Sequence, residues 1–315
     1  MTKLPSIALL GADEPLGEAI LRLLEERGLE LGTLFPLSLV ESDGCATVDG
    51  IEVPLQDAGD FDWGQAQVVV SASRSAAAVR LEQVAVKRGC RVVGFGAQDA
   101  VAGKTVLVDA VALALQRVLS AIGRDDELLS VDAVAMLPVS FAGQEGVNEL
   151  VEQTRGLFAM ESPEPGVFPL QVAFNLIPQV GALSESDDSV VERELTGQLR
   201  SLLDLPDLPI SVTAVWAPVF FGAAVSLHVG LRGESDAAQL RSRLAKRDGI
   251  TLMDAGLPGG VPTPATDALD SDTVFVGRLR RTAGQPGRIA MWLVVDIARL
   301  EAAQIVDWLE NLIEK

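Results

Sequence analysis

One histidine and two cysteines are all that this 315-residue chain has of the side chains most often used for nucleophilic, acid–base or metal chemistry. His228 lies in the strand-like run Ala223-Ala224-Val225-Ser226-Leu227-His228-Val229. A histidine-rich metal site is therefore excluded, and the lone imidazole is expected to be a sheet residue. Cys45 and Cys90 are too few for a disulfide framework and lack CxxC spacing, so both are expected to be plain structural thiols in a reducing compartment. Basic charge is scarce as well: 25 Lys and Arg against 44 Asp and Glu leave a net charge of −19 and a pI near 4.4. Long-range repulsion of polyanions excludes nucleic acid and an anionic membrane as partners, and leaves basic or neutral ones open. No apolar run approaches the roughly 18 residues of a membrane span. The N-terminus has no basic region leading into an apolar segment, so no secretory signal is expected and the expected location is cytoplasmic.

What is present is a chain 48% hydrophobic, long enough for a large core and two domains. Up to about residue 122, strands and helices alternate: strand Ile7 to Leu10, helix Leu16 to Arg27, strand Val68 to Ser71, helix Ala76 to Arg88, strand Arg91 to Phe95, and a helix ending near Ile122. This is the rhythm of a doubly wound parallel sheet. After the polar stretch Gly123 to Glu127 the pattern turns to long strands, Ser130 to Pro138 and Ile210 to Phe221, with helices at Gln144 to Phe158 and Asp187 to Leu203. The second of these is entered through the acidic segment Ser184 to Ser189, expected to be a solvated cap. Three prolines and three glycines make Gly256 to Pro264 a loop. Strands at Thr273 to Leu279 and Ile289 to Val295 follow, then a helix over Glu301 to Ile313 whose apolar stripe must dock on something.

The turn Gly11-Ala12-Asp13-Glu14-Pro15-Leu16-Gly17 joins the first strand to the first helix. In this setting a glycine turn receives a pyrophosphate: backbone N–H groups and the positive helix end attract the anion, and a middle glycine lets the main chain approach it. Here Gly11 and Gly17 are in place, while Glu14 stands nearest the middle position with Asp13 beside it. At about 4 Å and an effective dielectric of about 20, one like-charge pair costs about 4 kcal/mol, or about three decades of affinity. A tightly held diphosphate is disfavoured unless both side chains turn outward.

Several segments together resemble the aspartate-semialdehyde dehydrogenase family: Gly17-Glu18-Ala19, Ala173-Phe174-Asn175-Leu176-Ile177-Pro178, Pro262-Thr263-Pro264 and Val274-Phe275-Val276-Gly277-Arg278-Leu279-Arg280. The likeness runs nearly end to end; the second and fourth segments are specific, the glycine turn alone is not. It implies reduction of an aspartyl phosphate by a nicotinamide cofactor through a cysteine thioester. It also implies an α/β fold: a Rossmann-like doubly wound parallel sheet plus an α+β dimerisation domain with a large mixed sheet, pairing two subunits as a homodimer. On this likeness residues 1–122, completed by a C-terminal helix over 298–315, form the dinucleotide-binding-like domain, and 123–297 the dimerisation or substrate-like domain.

Most of the family's functional positions fail to carry across. The nucleophile belongs to an Asn-Pro-x-Cys-x-Thr segment, where this chain runs Val106-Leu107-Val108-Asp109-Ala110-Val111-Ala112 into a helix. The family's glutamine corresponds to Leu137 or Pro138. Its substrate arginine and acid–base histidine, seven residues apart around Pro218-Val219-Phe220-Phe221-Gly222, fall on Trp216 and Ala223, and His228 lies five residues too far along. Without thiolate there is no acyl intermediate, and without imidazole nothing deprotonates the thiol. Without guanidinium the substrate carboxylate loses its bidentate partner. On the cofactor side, Glu41 falls where an arginine would hold the 2′-phosphate of NADP, and Ile297 where an asparagine amide would face the nicotinamide.

The expectation is therefore a non-catalytic homologue, closest to the family's Usg-type members: a dimeric binding, scaffold or regulatory protein with an unidentified protein or small-metabolite partner. Gly11, Asp13, Glu14, Leu16 and Gly17 form its degenerate cofactor turn. No cofactor is expected, or NADP or NAD where binding is kept. The alternative is an NAD(P)-dependent oxidoreductase acting on another aldehyde or acyl substrate. A further possibility is a metabolite sensor, because Leu137, Trp216 and Ala223 make the old cleft more apolar.

Overall fold

The structure, a computed structural model, describes residues 4–48, 50–96, 101–122, 128–185, 187–233 and 236–314; the expected boundary stretch Gly123 to Glu127 and one residue of the acidic segment lie outside them. The chain divides into two compact units, one holding residues 1–108, 142–145 and 301–315, the other 109–141 and 146–300.

The first unit contains strands β1 (Ile7–Leu10), β2 (Leu34–Ser38), β3 (Cys45–Val48), β4 (Ile51–Pro54), β5 (Gln56–Asp57), β6 (Val68–Ser71), β7 (Arg91–Gly94) and β8 (Thr105–Val106), with helices α1 (Pro15–Arg27) and α2 (Ala76–Lys87). Six strands make a parallel sheet in the order β5-β2-β1-β6-β7-β8, and β3 and β4 form a separate hairpin. The central strands are continuous apolar runs because both faces are covered. Ile7 and Leu9 pack with Leu16, Ile20, Leu23 and Leu24 of α1, whereas Ala8 and Leu10 face a core with Phe61, Trp63, Ala78 and Ala85. α1 ends at Gly28, whose φ of 60° places it in the left-handed region that glycine adopts at helix C-termini. β2 is not evident from composition: Pro36 sits in its middle, paired with Leu9, and a proline inside an apolar run argues against a central strand.

The second unit begins with α3 (Ala110–Ile122) and continues with β9 (Leu128–Leu137), α4 (Gln144–Phe158), α5 (Val190–Leu203), β10 (Ile210–Trp216), β11 (Ala223–Leu231), α6 (Ala237–Leu244), β12 (Ile250–Leu252), β13 (Val274–Thr282), β14 (Gln285–Val295) and the start of α7 (Ile297–Ile313). Its mixed sheet runs β10-β9-β11-β14-β13-β12. Alternation along β9 and β11 buries Val131, Ala133, Ala135, Leu137, Val225, Leu227 and Val229 on one face, toward which α3 and α5 pack. The other face carries Asp132, Val134, Thr213, Ser226 and His228, none of them fully buried. His228 is thus the expected sheet residue, paired across the ladder with Asp132 and Ala290.

The two compact units divide at 108/109, ahead of α3, because α3 packs against α5 and α6. The strand expected over Ile210 to Phe221 ends at Trp216, ahead of Pro218, and the last helix starts at Ile297 on the side-chain cap of Asp296, which accepts the Arg299 N–H at 3.1 Å. The helix expected from Asp187 starts at Val190, behind a capping box in which Ser189 and Glu192 satisfy each other's backbone N–H groups.

The first unit buries one ion pair almost completely: Lys104 Nζ lies 2.8 Å from Glu82 Oε1 on α2, with side-chain exposures of 4% and 0%, and also donates to the Phe95 carbonyl. Removing one partner leaves an uncompensated buried charge. Lys104→Ala is expected to cost about 3–5 kcal/mol in urea unfolding, and Glu82→Leu with Lys104→Met to recover most of it. A single-variant loss below about 1 kcal/mol would mean that water reaches Glu82.

Candidate functional site

In the first unit β1 stands between β2 and β6, so the chain leaves the sheet in opposite senses on the two sides of the β1–β6 pair. Open parallel sheets bind ligands outside the carboxyl ends of such a pair, where the loops diverge. Two loops meet there, Gly11 to Glu14 after β1 and Ala72 to Ser75 after β6; a Cβ on Gly11 would lie 3.6 Å from that of Ser73.

The glycines of the turn have separate jobs. Gly11 has φ +80°, and a Cβ on Gly17 would stand 2.8 Å from the Ala12 Cα. The turn therefore closes only with glycine at both ends, and Leu16, buried in the core beneath it, fixes the start of α1. Pro15 opens the helix and has no N–H, which removes one of the donors that an anion at this helix end would meet.

The two acids between the glycines have partners of their own. Asp13 Oδ2 accepts the Ser38 hydroxyl at 2.7 Å; Ser38 is the buried last residue of β2. Glu14 does not cap its own helix. Its side chain crosses Gly11, and Oε2 accepts the backbone N–H of Gln144 at 2.7 Å. A Cβ on Gly143 would stand 2.6 Å from that oxygen, and one on Gly11 3.0 Å from Glu14 Cγ, so both glycines make room for the glutamate. Burial pushes the Glu14 carboxyl above its ordinary range, the Gln144 N–H pulls it part of the way back, and the charges of Asp13 and Glu145 add to the rise.

Three further groups of this crevice were not read from the sequence. Arg74 lies on the loop after β6, with its guanidinium 5.2 Å from the centre of the Phe95 ring and 2.5 Å from Glu301 Oε1 on α7. The Glu301 side chain is buried, so the pair is largely desolvated. A lone arginine three residues past an apolar strand is the only trace of this in the sequence. Glu41, expected near the 2′-phosphate position, is exposed beyond the end of β2.

The positions expected on the substrate side lie in the second unit. Leu137 ends β9 and is 0% exposed; Trp216, beside it in the ladder, ends β10 and is 7% exposed; Ala223 begins β11, buried. The Trp216 ring packs edge-on to Phe168 at 5.0 Å and against Phe141 at 6.0 Å, and its backbone exchanges two hydrogen bonds with Ile177. The indole is enclosed by its own unit. Ile297, the first residue of α7, is buried too. Cys45 is exposed in β3, and Cys90 is buried, its thiol within 3.3 Å of the Trp63 and Ala66 carbonyls. Among the described residues no group of three or more His, Cys, Asp and Glu is arranged to hold a metal ion, and no helix is long and apolar enough to cross a membrane.

Residues 119–299 match the family model described as "Semialdehyde dehydrogenase, dimerisation domain". A USG-1 protein homologue of Azotobacter vinelandii is 30% identical over 96% of this chain and 97% of its own length. An aspartate-semialdehyde dehydrogenase of Shewanella violacea is 25% identical over 95% and 94%. Among solved structures, aspartate semialdehyde dehydrogenase II of Vibrio cholerae complexed with ASA superposes with a TM-score of 0.85 at 26% identity, covering 98% of this chain and 99% of that one.

The raised Glu14 carboxyl makes a signed prediction. An acid whose pKa is higher folded than unfolded costs stability once pH exceeds the folded value, and costs nothing below its ordinary value near 4.5, where both states hold the proton. Glu14→Gln is expected to melt above the wild type at pH 7, with the gap closing as pH falls toward 4.5. A gap independent of pH, or a variant less stable at pH 7, would contradict the placement of this side chain.

Proposed function

This chain belongs to the semialdehyde dehydrogenase family, and from that premise we propose that it is a non-catalytic member: a dimeric binding or regulatory protein that keeps the family fold without the dehydrogenase reaction. One observation carries the reading. With two cysteines and one histidine in the chain, no other residue can supply the thiolate and imidazole, and these three lie in the β3–β4 hairpin (Cys45, exposed), in the interior of the first unit (Cys90) and in the middle of β11 (His228). The enclosed Trp216 at the arginine position supports it, because an aromatic ring packed on two phenylalanines offers a carboxylate no donor.

The crevice of the first unit does not fit a dinucleotide diphosphate. Glu14 already satisfies an N–H that faces the turn, and Asp13 spans to the end of β2, where doubly wound folds hold the adenosine ribose. One feature favours the alternative, an NAD(P)-dependent oxidoreductase on another aldehyde or acyl substrate: the glycine conformations of the turn are intact. The sensor reading loses support from the burial of Leu137, Trp216 and Ala223, which fill their surroundings with protein.

Pairing of two subunits is supported by the incompletely buried face of the mixed sheet around Val134 and Thr213, and by exposed apolar side chains at the end of α4 and on the segment after it. Phe158 and Phe174 stack edge to face at 6.1 Å there, with Met160 and Leu176 also exposed. Exposed apolar surface of this kind is what a homodimer interface covers.

Two measurements test the proposal. Assayed for NADP-dependent oxidation of aspartate semialdehyde, the pure protein is expected to show no turnover above background and no melting shift with millimolar NADP or NAD. Turnover that tracks purity would overturn the non-catalytic reading, and a saturable shift without turnover would favour the alternative. In sedimentation velocity at micromolar concentration a dimer is expected, and Val134→Arg is expected to weaken it at least about tenfold; a monomeric wild type would overturn the pairing.

A further inference from the structure

The specific segment Val274 to Arg280 contributes nothing to the chemistry discussed so far, yet it holds a backbone irregularity in the second unit. Gly277 pairs with Trp292 and Arg280 with Ala290, so three steps along β13 match two along β14, and one residue is extra. Arg278 lies in this bulge with φ +56°, a left-handed conformation that a long side chain adopts only under constraint. Its N–H donates to Asp254 Oδ1 at 3.1 Å, which holds the bulge. Bulges re-aim side chains, and strain of this kind accumulates at ligand clamps.

The bulge lines a cleft of about 460 Å³, whose lining includes Arg278 and Arg280 together with Leu257, Pro258, Val261 and Asp254. The Asp254 charge is already matched, because Oδ2 lies 2.8 Å from the Arg241 Nε, whose guanidinium also donates to the Leu279 carbonyl. Arg280 gives one of its five donors to the Arg278 carbonyl at 2.8 Å and is otherwise exposed. The Arg278 side chain is exposed, and no partner for its guanidinium is found among the described residues. The cleft therefore has two exposed arginines and several apolar residues in its lining, in a chain whose net charge is −19. The basic bias is regional: residues 237–288 hold eight Lys and Arg against five Asp and Glu.

We infer that this cleft is a binding site for a small organic oxyanion, a carboxylate or phosphate monoester carrying an apolar arm, held by Arg278 and Arg280 and covered by the Leu257 to Val261 loop. Planar guanidinium forks match the oxyanion. Leu257, whose side chain is largely exposed, gives the arm its contact. The strained position of Arg278 then has a reason. Glycine would occupy it without strain, but could not reach the anion.

The test uses the full-length protein and four probes: phenyl phosphate, phenylacetate, inorganic phosphate and benzyl alcohol. Calorimetric titration is expected to show saturable binding of phenyl phosphate, phenylacetate or both, tighter than either half alone, and the preferred head group identifies the natural source. Arg278→Gly is expected to melt at a higher temperature than the wild type while binding at least about tenfold more weakly, and Arg280→Gln to weaken binding without the gain in stability. A higher melting point with lost affinity is an outcome that general damage to the fold cannot produce. No saturable binding at millimolar probe, equal binding by the wild type and Arg278→Gly, or equal stabilisation by inorganic phosphate alone would overturn the inference.

Discussion

The close approach of α1 to the end of β1 is the constraint on which the first unit depends. A side chain at Gly17 would collide with the backbone of Gly11 and Ala12, so the helix can start where it does only because that residue has none. Starting there puts Leu16, Ile20, Leu23 and Leu24 on the sheet, where they share a core with Ile7, Leu9, Val68 and Val70 and with Ile305, Val306 and Leu309 of α7. The turn is thus required by packing whether or not a ligand ever occupies it. Retained glycines at a dinucleotide-type turn are weak evidence for a dinucleotide, and what stands between them has to decide.

Between them stands a carboxylate that accepts the kind of backbone N–H a phosphate oxygen would take. Being tethered, Glu14 makes that bond without the loss of translational freedom that an external anion must meet, and its charge is already near the helix end. A diphosphate would have to displace it and then tolerate Asp13 and Glu145 nearby. The rise in the Glu14 carboxyl has its main cause in burial, to which the nearby charges of Asp13 and Glu145 add.

How much of this was legible follows from what each feature depends on. Buried strands such as Ile7–Leu10 and Val68–Ser71, and the striped helix Gln144–Phe158, read directly because burial on two faces or on one stripe leaves a local pattern. β2 did not, because Pro36 breaks the pattern while the parallel pairing tolerates it. The grouping of α3 with the second unit depended on which helices its apolar positions meet, which periodicity cannot say. At the site, residue identities were enough to find the acidic turn and to show that the chain holds only two cysteines and one histidine. The directions taken by the acids were not readable: Asp13 turns to Ser38 and Glu14 to Gln144, 25 and 130 residues away. Arg74 and Glu301, 227 residues apart, left even less to read.

The left-handed residues other than glycine extend this separation between packing and function. Asp187, Asp204 and Asp270 belong to a type that tolerates the conformation, and Asp204 closes α5 as its C-cap. Met160, Phe174 and Arg278 do not, and each side chain faces solvent rather than a core that would repay the strain. Two of them lie on the apolar segment proposed to pair subunits, and the third walls the basic cleft. Backbone strain outside the aspartates is thus carried at the two surfaces proposed for contact with a second subunit and with a ligand.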